Sequence, residues 1–166
     1  MNVTEELLKT MALSLVPNLG PMRFKKGVEV FGDACGFFDA PPGEWVSCGI
    51  FGLPRTLNKK ALLEKAGSEI KKAEKQNTLI LSLSDKRYPA LLKEIYDPPI
   101  LLYVKGLLPA SSVPNVAVIG SRASSDYGRR TAKSMSADLA RSGAGIVSGM
   151  ALGIDTAAHE GALEAG

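Results

Sequence analysis

The stretch VAVIGSRASSDYG, residues 116–128, decides how the second half of the chain is read. A short apolar run stops at Gly120, Ser121 and Arg122. A polar segment then leads into SDYGRRTAKSMSADLAR, where Ala132, Met135, Leu139 and Ala140 are spaced to form the inward stripe of a helix over Asp126–Arg141. Arg129, Arg130, Lys133 and Arg141 are expected on its outer side. Farther on, AGIVSG (residues 144–149) reads as a second strand ending in a glycine turn, and a last helix is expected to start near Asp155. Strand, helix, strand, helix in this order implies parallel strands, which helices normally cover on both faces.

In an open parallel sheet, ligands bind beyond the carboxyl ends of the strands, where loops feed helix N-termini. Two such ends lie side by side in this reading. One is Gly120, Ser121 and Arg122; the other is SGMALGID, with Ser148, Gly149, Gly153 and Asp155. Glycines let the backbone turn sharply and approach a ligand, N–H groups at a helix start favour an anion, and hydroxyls add donors. Arg122 adds a permanent charge and a planar set of donors matched to phosphate oxygens. A dinucleotide site would need G-x-G-x-x-G and an acidic residue about 20 positions on, and neither is present. Arg122 would obstruct a pyrophosphate, and no G-x-x-x-x-G-K-[ST] loop occurs. The turns suit one phosphate gripped from the side, and no cofactor is implied.

The rest of the chain sets the context. With 45% hydrophobic and 22% charged residues in 166, it reads as a globular protein, and a net charge of +3 permits a polyanionic partner without predicting one. No basic and apolar leader opens the chain, and no apolar run nears the roughly 18 residues of a membrane helix, so a cytoplasmic protein is expected. Cys35 and Cys48 lack zinc-site spacing, and His159 is the sole histidine, so no metal is expected.

A helix is predicted over Thr4–Leu15, with Asn2 and Glu5 placed as a capping box. VPNLGP ends it, and Pro21 opens a second helix carrying Met22, Phe24, Val28 and Phe31. Short helical turns follow, then a longer helix over Thr56–Gln76 whose apolar stripe is Leu57, Ala61, Leu62, Ala66, Ile70 and Ala73 and whose lysine-rich remainder reads as a solvated face. At Thr78 the period becomes extended, and TLILSL and PPILLYVKG read as strands, placing a domain boundary near Asn77. The expected layout is a helical domain over residues 1–77 and a parallel-sheet domain over 78–166. The sheet looks unfinished at Gly166: the chain is either truncated, or it closes with TLILSL and ILLYV as partners in about four strands.

GSR, then SGMALGIDTAAH after a helix beginning at YG, with YPALLKEIYDPPILLYVKG upstream, resembles the DNA-processing protein A (DprA/Smf) family. The resemblance runs from about Leu79 to Gly166 and is looser over the N-terminal helices. It implies an α/β Rossmann-like domain preceded by a small all-α domain of the sterile-alpha-motif (SAM-like) or helix-hairpin-helix kind. The function implied is that of a cytoplasmic single-stranded DNA-binding recombination mediator, not an ordinary enzyme, which protects incoming DNA and helps load RecA during natural transformation. Self-association is implied for the complete protein. Carried over residue by residue, the phosphate-binding positions are Gly120, Ser121 and Arg122 in the first turn and Ser148, Gly149 and Gly153 in the second, while Asp155 and His159 match in a structural role.

Arg129 and Arg130 extend the positive surface in this reading. Tyr127 is the nearest aromatic for base stacking, although a packed place at the helix start is the more ordinary use of such a tyrosine. VPNLGP is similar to the hairpin of a helix-hairpin-helix, but Asn18 stands where that hairpin has its first glycine, so a packing or partner-binding module is expected. The rival reading is a Rossmann-like nucleotide phosphohydrolase or phosphoribohydrolase. It would combine Asp155 and His159, four apart on one helix face, with Ser121 or Ser148.

Overall fold

The computed structural model describes residues 4–108 and 112–166. Asn2 of the expected capping box and residues 109–111 of the loop after PPILLYVKG lie outside them. The described residues divide into two compact units, one up to Leu107 and one from Leu108 onward.

The first unit opens with α1 (Glu5–Ser14), and its cap is Thr4, whose hydroxyl accepts the Leu7 N–H at 3.2 Å. VPNLGP turns the chain with Asn18 in the left-handed region (φ 66°), where a short polar side chain is tolerated. Pro21 then starts α2 (Pro21–Phe31), followed by α3 (Ala34–Asp39) and α4 (Pro42–Ser47). The core gathers around fully buried Trp45, Phe37, Phe38, Met11 and Leu13. Trp45 donates its indole N–H to the Phe37 carbonyl at 3.2 Å, so the ring is buried without an orphaned donor. The long helix α5 (Lys59–Lys75), capped by Asn58, buries Ala66, Ile70 and Ala73 of the expected stripe in this core, and Leu57, just ahead of the helix, and Leu62 pack against it half-buried.

Strand β1 (Thr78–Ser82), short helix α6 (Ala90–Lys93) and strand β2 (Leu101–Lys105) complete the unit. β1 and β2 pair antiparallel, Thr78 opposite Lys105 and Ser82 opposite Leu101, and form a two-stranded sheet of their own. Of the two alternatives for the sheet, the one in which TLILSL and ILLYV join the parallel strands in one four-stranded sheet does not form among the described residues. The segment between them folds back on itself: Leu83 N–H reaches the Ile100 carbonyl at 3.2 Å and the Tyr88 hydroxyl donates to the Pro99 carbonyl at 2.9 Å. That closure sets the strand ends side by side, a geometry only an antiparallel pair satisfies. Ile80 and Ile100 are buried in the helical core, which is why the compact unit extends to Leu107 and not to the composition change near Asn77.

The second unit is a β–α–β–α segment: β3 (Asn115–Ala117), α7 (Asp126–Arg141), β4 (Gly145–Val147) and α8 (Ile154–Ala165). β3 and β4 pair parallel, as the order of elements implies, with Val116 opposite Ile146. α7 has the expected bounds, but its packed face is Ala132, Ser136 and Ala137, and Met135 is exposed. Gly161 of α8 sets this rotation: a Cβ there would lie 2.0 Å from the Lys133 carbonyl, so the two helices touch backbone to backbone and only small side chains fit. Lys133 is drawn to the same contact by Glu164 at 2.5 Å. Cover on both faces of the pair is not complete among the described residues, since Ile119 and Val147 remain exposed.

Candidate phosphate-binding turns

The two glycine turns predicted to work together are interlocked. Gly153 has φ 88° and ψ −121°, a conformation essentially confined to glycine, and a Cβ there would sit 2.3 Å from the Ser121 carbonyl and 2.7 Å from that of Arg122. Ile154 N–H donates to the Ser121 carbonyl at 3.3 Å, and a Cβ on Gly120 would meet Ile154 at 2.7 Å. The glycines thus bring the second turn down onto the backbone of the first. Met150 (φ 55°) adds a left-handed residue between them.

Polar contacts fix the ends of both strands. Val118 N–H reaches the Val147 carbonyl at 3.0 Å, extending the ladder, and Ser148 donates its hydroxyl to the Val118 carbonyl at 2.7 Å. Through this bond Ser148 ties β4 to β3. Ser121 accepts the Ala123 N–H at 3.1 Å, which leaves its hydroxyl hydrogen available.

Asp155, which the resemblance matched in a structural role, closes the second turn on itself. Its carboxylate is buried and accepts the Gly149 N–H at 3.1 Å and the Ala151 N–H at 3.5 Å. An acid at the start of α8 faces the positive end of the helix and replaces an external anion on the second turn. Gly149 therefore gives its N–H to Asp155 rather than to a ligand. The signal for this was present in the spacing: an aspartate six residues after a glycine, within the first turn of a helix, can reach back to that loop.

The cations divide into free and committed. Arg122 is exposed, and among the described residues nothing accepts a hydrogen bond from its guanidinium or pairs with it. Arg130 is likewise exposed. Arg129 is held by Asp126 and by the Ser124 carbonyl, so its charge is largely compensated within the first turn of α7. Tyr127 is 73% exposed, which makes it available for stacking rather than packed. Ser125 caps α7 by accepting the Gly128 N–H at 3.1 Å. Ser121, Arg122, Tyr127 and Arg130 are thus each exposed, on the first turn and on the opening of the helix that follows it.

The hydrolytic constellation is not assembled. The Ser148 hydroxyl and the Asp155 carboxylate are engaged with backbone groups, and the buried Nε2 of His159 has no hydrogen-bond partner among the described residues. A nucleophile needs a base within hydrogen-bond reach, and among the described residues neither Ser121 nor Ser148 is hydrogen-bonded to His159 or Asp155. No group of three or more His, Cys, Asp or Glu residues could hold a metal ion, and no helix is long and apolar enough to cross a membrane, among the described residues.

A family model described as DNA recombination-mediator protein A matches residues 79–166, more than half of the chain. The chain is 48% identical over 85 residues to DNA processing protein DprA of Streptococcus pneumoniae, a match covering 51% of this chain and 30% of that protein. It is 33% identical to Protein Smf of Synechocystis, over 92% of this chain and 40% of that one. An X-ray structure of DNA processing protein A from Streptococcus pneumoniae superposes with a TM-score of 0.62 at 30% identity, covering 99% of this chain and 56% of that chain. The chain thus spans well under half the length of these curated relatives.

Proposed function

Since the chain belongs to the DNA recombination-mediator protein A family, we propose that its interlocked turns hold the phosphate backbone of single-stranded DNA, with Arg122 as the principal cation. The observation that carries this reading is the uncompensated, exposed Arg122 guanidinium on a turn that Gly153 clamps from beneath. A rigid backbone under a free guanidinium supplies a preorganised phosphate contact without reading bases. Ser121 adds a hydroxyl donor, Arg130 a second charge, and Tyr127 an exposed ring on which a base can stack. Gly120, Gly149 and Gly153 serve by close approach, and Ser148 and Asp155 by holding the turn in shape.

In the complete protein, this contact protects incoming single strands in the cytoplasm and helps load RecA during natural transformation, with the protein self-associated. The DNA contact lies in the unit from Leu108 onward, and the unit up to Leu107, with β1 and β2 packed into its helical core, is accessory to it. No bond-breaking step is required of the chain.

The test is fluorescence anisotropy of a labelled oligothymidylate across a salt series, with the parent chain and with Arg122→Ala, against duplex DNA. Single strands are expected to bind in preference to duplex. Arg122→Ala is expected to weaken binding and flatten the plot of log affinity against log salt by about 0.7, the share of one single-strand phosphate contact. Equal binding by both proteins at every salt concentration would reject the assignment.

A further inference from the structure

The helical unit carries a second basic and aromatic surface, remote in sequence from the turns. A groove of about 600 Å³ is lined by Met22, Arg23, Lys25, Lys26 and Phe51, and by one carboxylate, Glu29. Phe51 is 62% exposed and Met22 43%, an unusual placement for a phenylalanine next to a well-filled core. The loop CGIFG sets Phe51 between Gly49 and Gly52. A Cβ on Gly49 would meet the Lys26 ammonium at 2.8 Å and the Phe51 ring at 3.9 Å, and one on Gly52 would meet the Arg23 guanidinium at 3.3 Å. Gly49 therefore leaves room for the Lys26 ammonium close to the ring, and Gly52 leaves room for the Arg23 guanidinium.

These cations are held by neutral groups. Arg23 donates to the Asn18 carbonyl at 2.8 Å and Lys26 to the Gly49 carbonyl at 2.9 Å. Neither forms an ion pair with a carboxylate among the described residues. A carbonyl anchor orders the side chain but leaves its full charge to the outside, unlike the Arg129–Asp126 pair on α7. Asn18 also reaches the Gly52 carbonyl at 3.4 Å, so the VPNLGP turn and the Phe51 loop are joined into one platform.

We infer that this platform is a second contact for single-stranded DNA, in which a base stacks on Phe51 and flanking phosphates sit on Arg23 and Lys26. An exposed ring that lines one groove with two fixed cations, neither ion-paired among the described residues, suits the alternation of base and phosphate along a single strand. Charge complementarity selects a polyanion, and the ring selects one that carries bases over an acidic peptide. The inference rests on the reading that the chain binds single-stranded DNA, and extends it to the unit that does not contain the glycine turns.

The experiment uses the whole chain and the same labelled oligothymidylate, with Phe51→Ala, the double variant Arg23→Gln/Lys26→Gln, and Arg122→Ala as reference. Phe51→Ala is expected to weaken binding at least about fivefold, the lower range for loss of one stacked base. The double variant is expected to lower the salt slope by about 1.4, two single-strand phosphates. Phe51→Trp keeps the stacking surface; it should restore affinity, and its indole emission should be quenched on binding. Parent-like binding by the Phe51 and Arg23/Lys26 variants, alongside a loss in Arg122→Ala, would overturn this inference and leave the glycine-turn reading intact. Absence of binding by the parent would overturn both. Labelled poly-glutamate serves as a second probe, and binding of it by the parent that the Arg23→Gln/Lys26→Gln variant loses, with DNA binding unchanged, would overturn the inference in favour of an acidic protein partner.

Discussion

Replacing Gly153 by alanine tests whether the two turns are held together as described. At φ 88° and ψ −121°, alanine meets a backbone conformation that side-chain-bearing residues avoid, costing about 1 kcal/mol at the least. The new Cβ would also lie 2.3 Å from the Ser121 carbonyl and 2.7 Å from the Arg122 carbonyl, so one turn must lift off the other. Gly143 supplies the control. It has the same φ of 88°, but no atom lies within 4 Å of the position its Cβ would take. Gly143→Ala should therefore cost only the backbone term, about 1 kcal/mol. Gly153→Ala should reach a total of about 2–4 kcal/mol, backbone strain together with the clash. Hydrogen–deuterium exchange read on peptides spanning residues 118–128 and 149–161 separates the two. Under conditions where exchange follows opening, exchange there should rise about 30- to 700-fold in Gly153→Ala and about fivefold in Gly143→Ala. Equal protection in the two variants would refute the interlock, and with it the rigid support claimed for Arg122.

Three further outcomes follow from the same contacts. Gly161→Ala should destabilise the second unit by about 3 kcal/mol in urea unfolding, because its Cβ would lie 2.0 Å from the Lys133 carbonyl and α7 and α8 must separate. Asp155→Ala should cost about 2 kcal/mol by leaving the Gly149 and Ala151 N–H groups without their acceptor, and Asp155→Asn, which keeps an acceptor oxygen, should cost less in the same assay. In the first unit, the Arg87 guanidinium bonded to Asp85 holds that carboxyl below the ordinary carboxylate value, so its stabilisation is present above about pH 4 and lost as pH falls through the lowered folded value. Asp85→Asn should flatten this part of the acid-unfolding curve, followed by the fluorescence of Trp45, the sole tryptophan.

Much of this architecture was legible because periodicity and breakers acted locally. Pro21 opens α2, α7 runs over Asp126–Arg141, and the two strands that flank α7 pair parallel. What escaped the sequence depended on contacts between distant residues. The antiparallel β1–β2 pair follows from Tyr88 reaching Pro99 and Leu83 reaching Ile100, which no strand pattern encodes. Met135 fits the apolar stripe of α7 by spacing, but the backbone contact at Gly161 rotates the helix so that Ser136 and Ala137 face inward. At the site, Gly120, Gly153 and Arg122 were visible as types and positions. The commitments of Ser148 to Val118 and of Asp155 to Gly149 were not, because a hydroxyl or carboxylate at a turn looks the same in sequence whether it faces a ligand or its own backbone. Tyr127 illustrates the converse, an aromatic at a helix start that the fold leaves exposed.

Photo-crosslinking tests the central claim most directly. A single strand substituted with 5-iododeoxyuridine would be irradiated with the whole chain, and the attached peptides identified by mass spectrometry. The account predicts attachment within residues 118–130, Tyr127 foremost, displaced by unlabelled single strand and sharply reduced in Arg122→Ala. Attachment confined to peptides outside that segment, unchanged by Arg122→Ala, would contradict it.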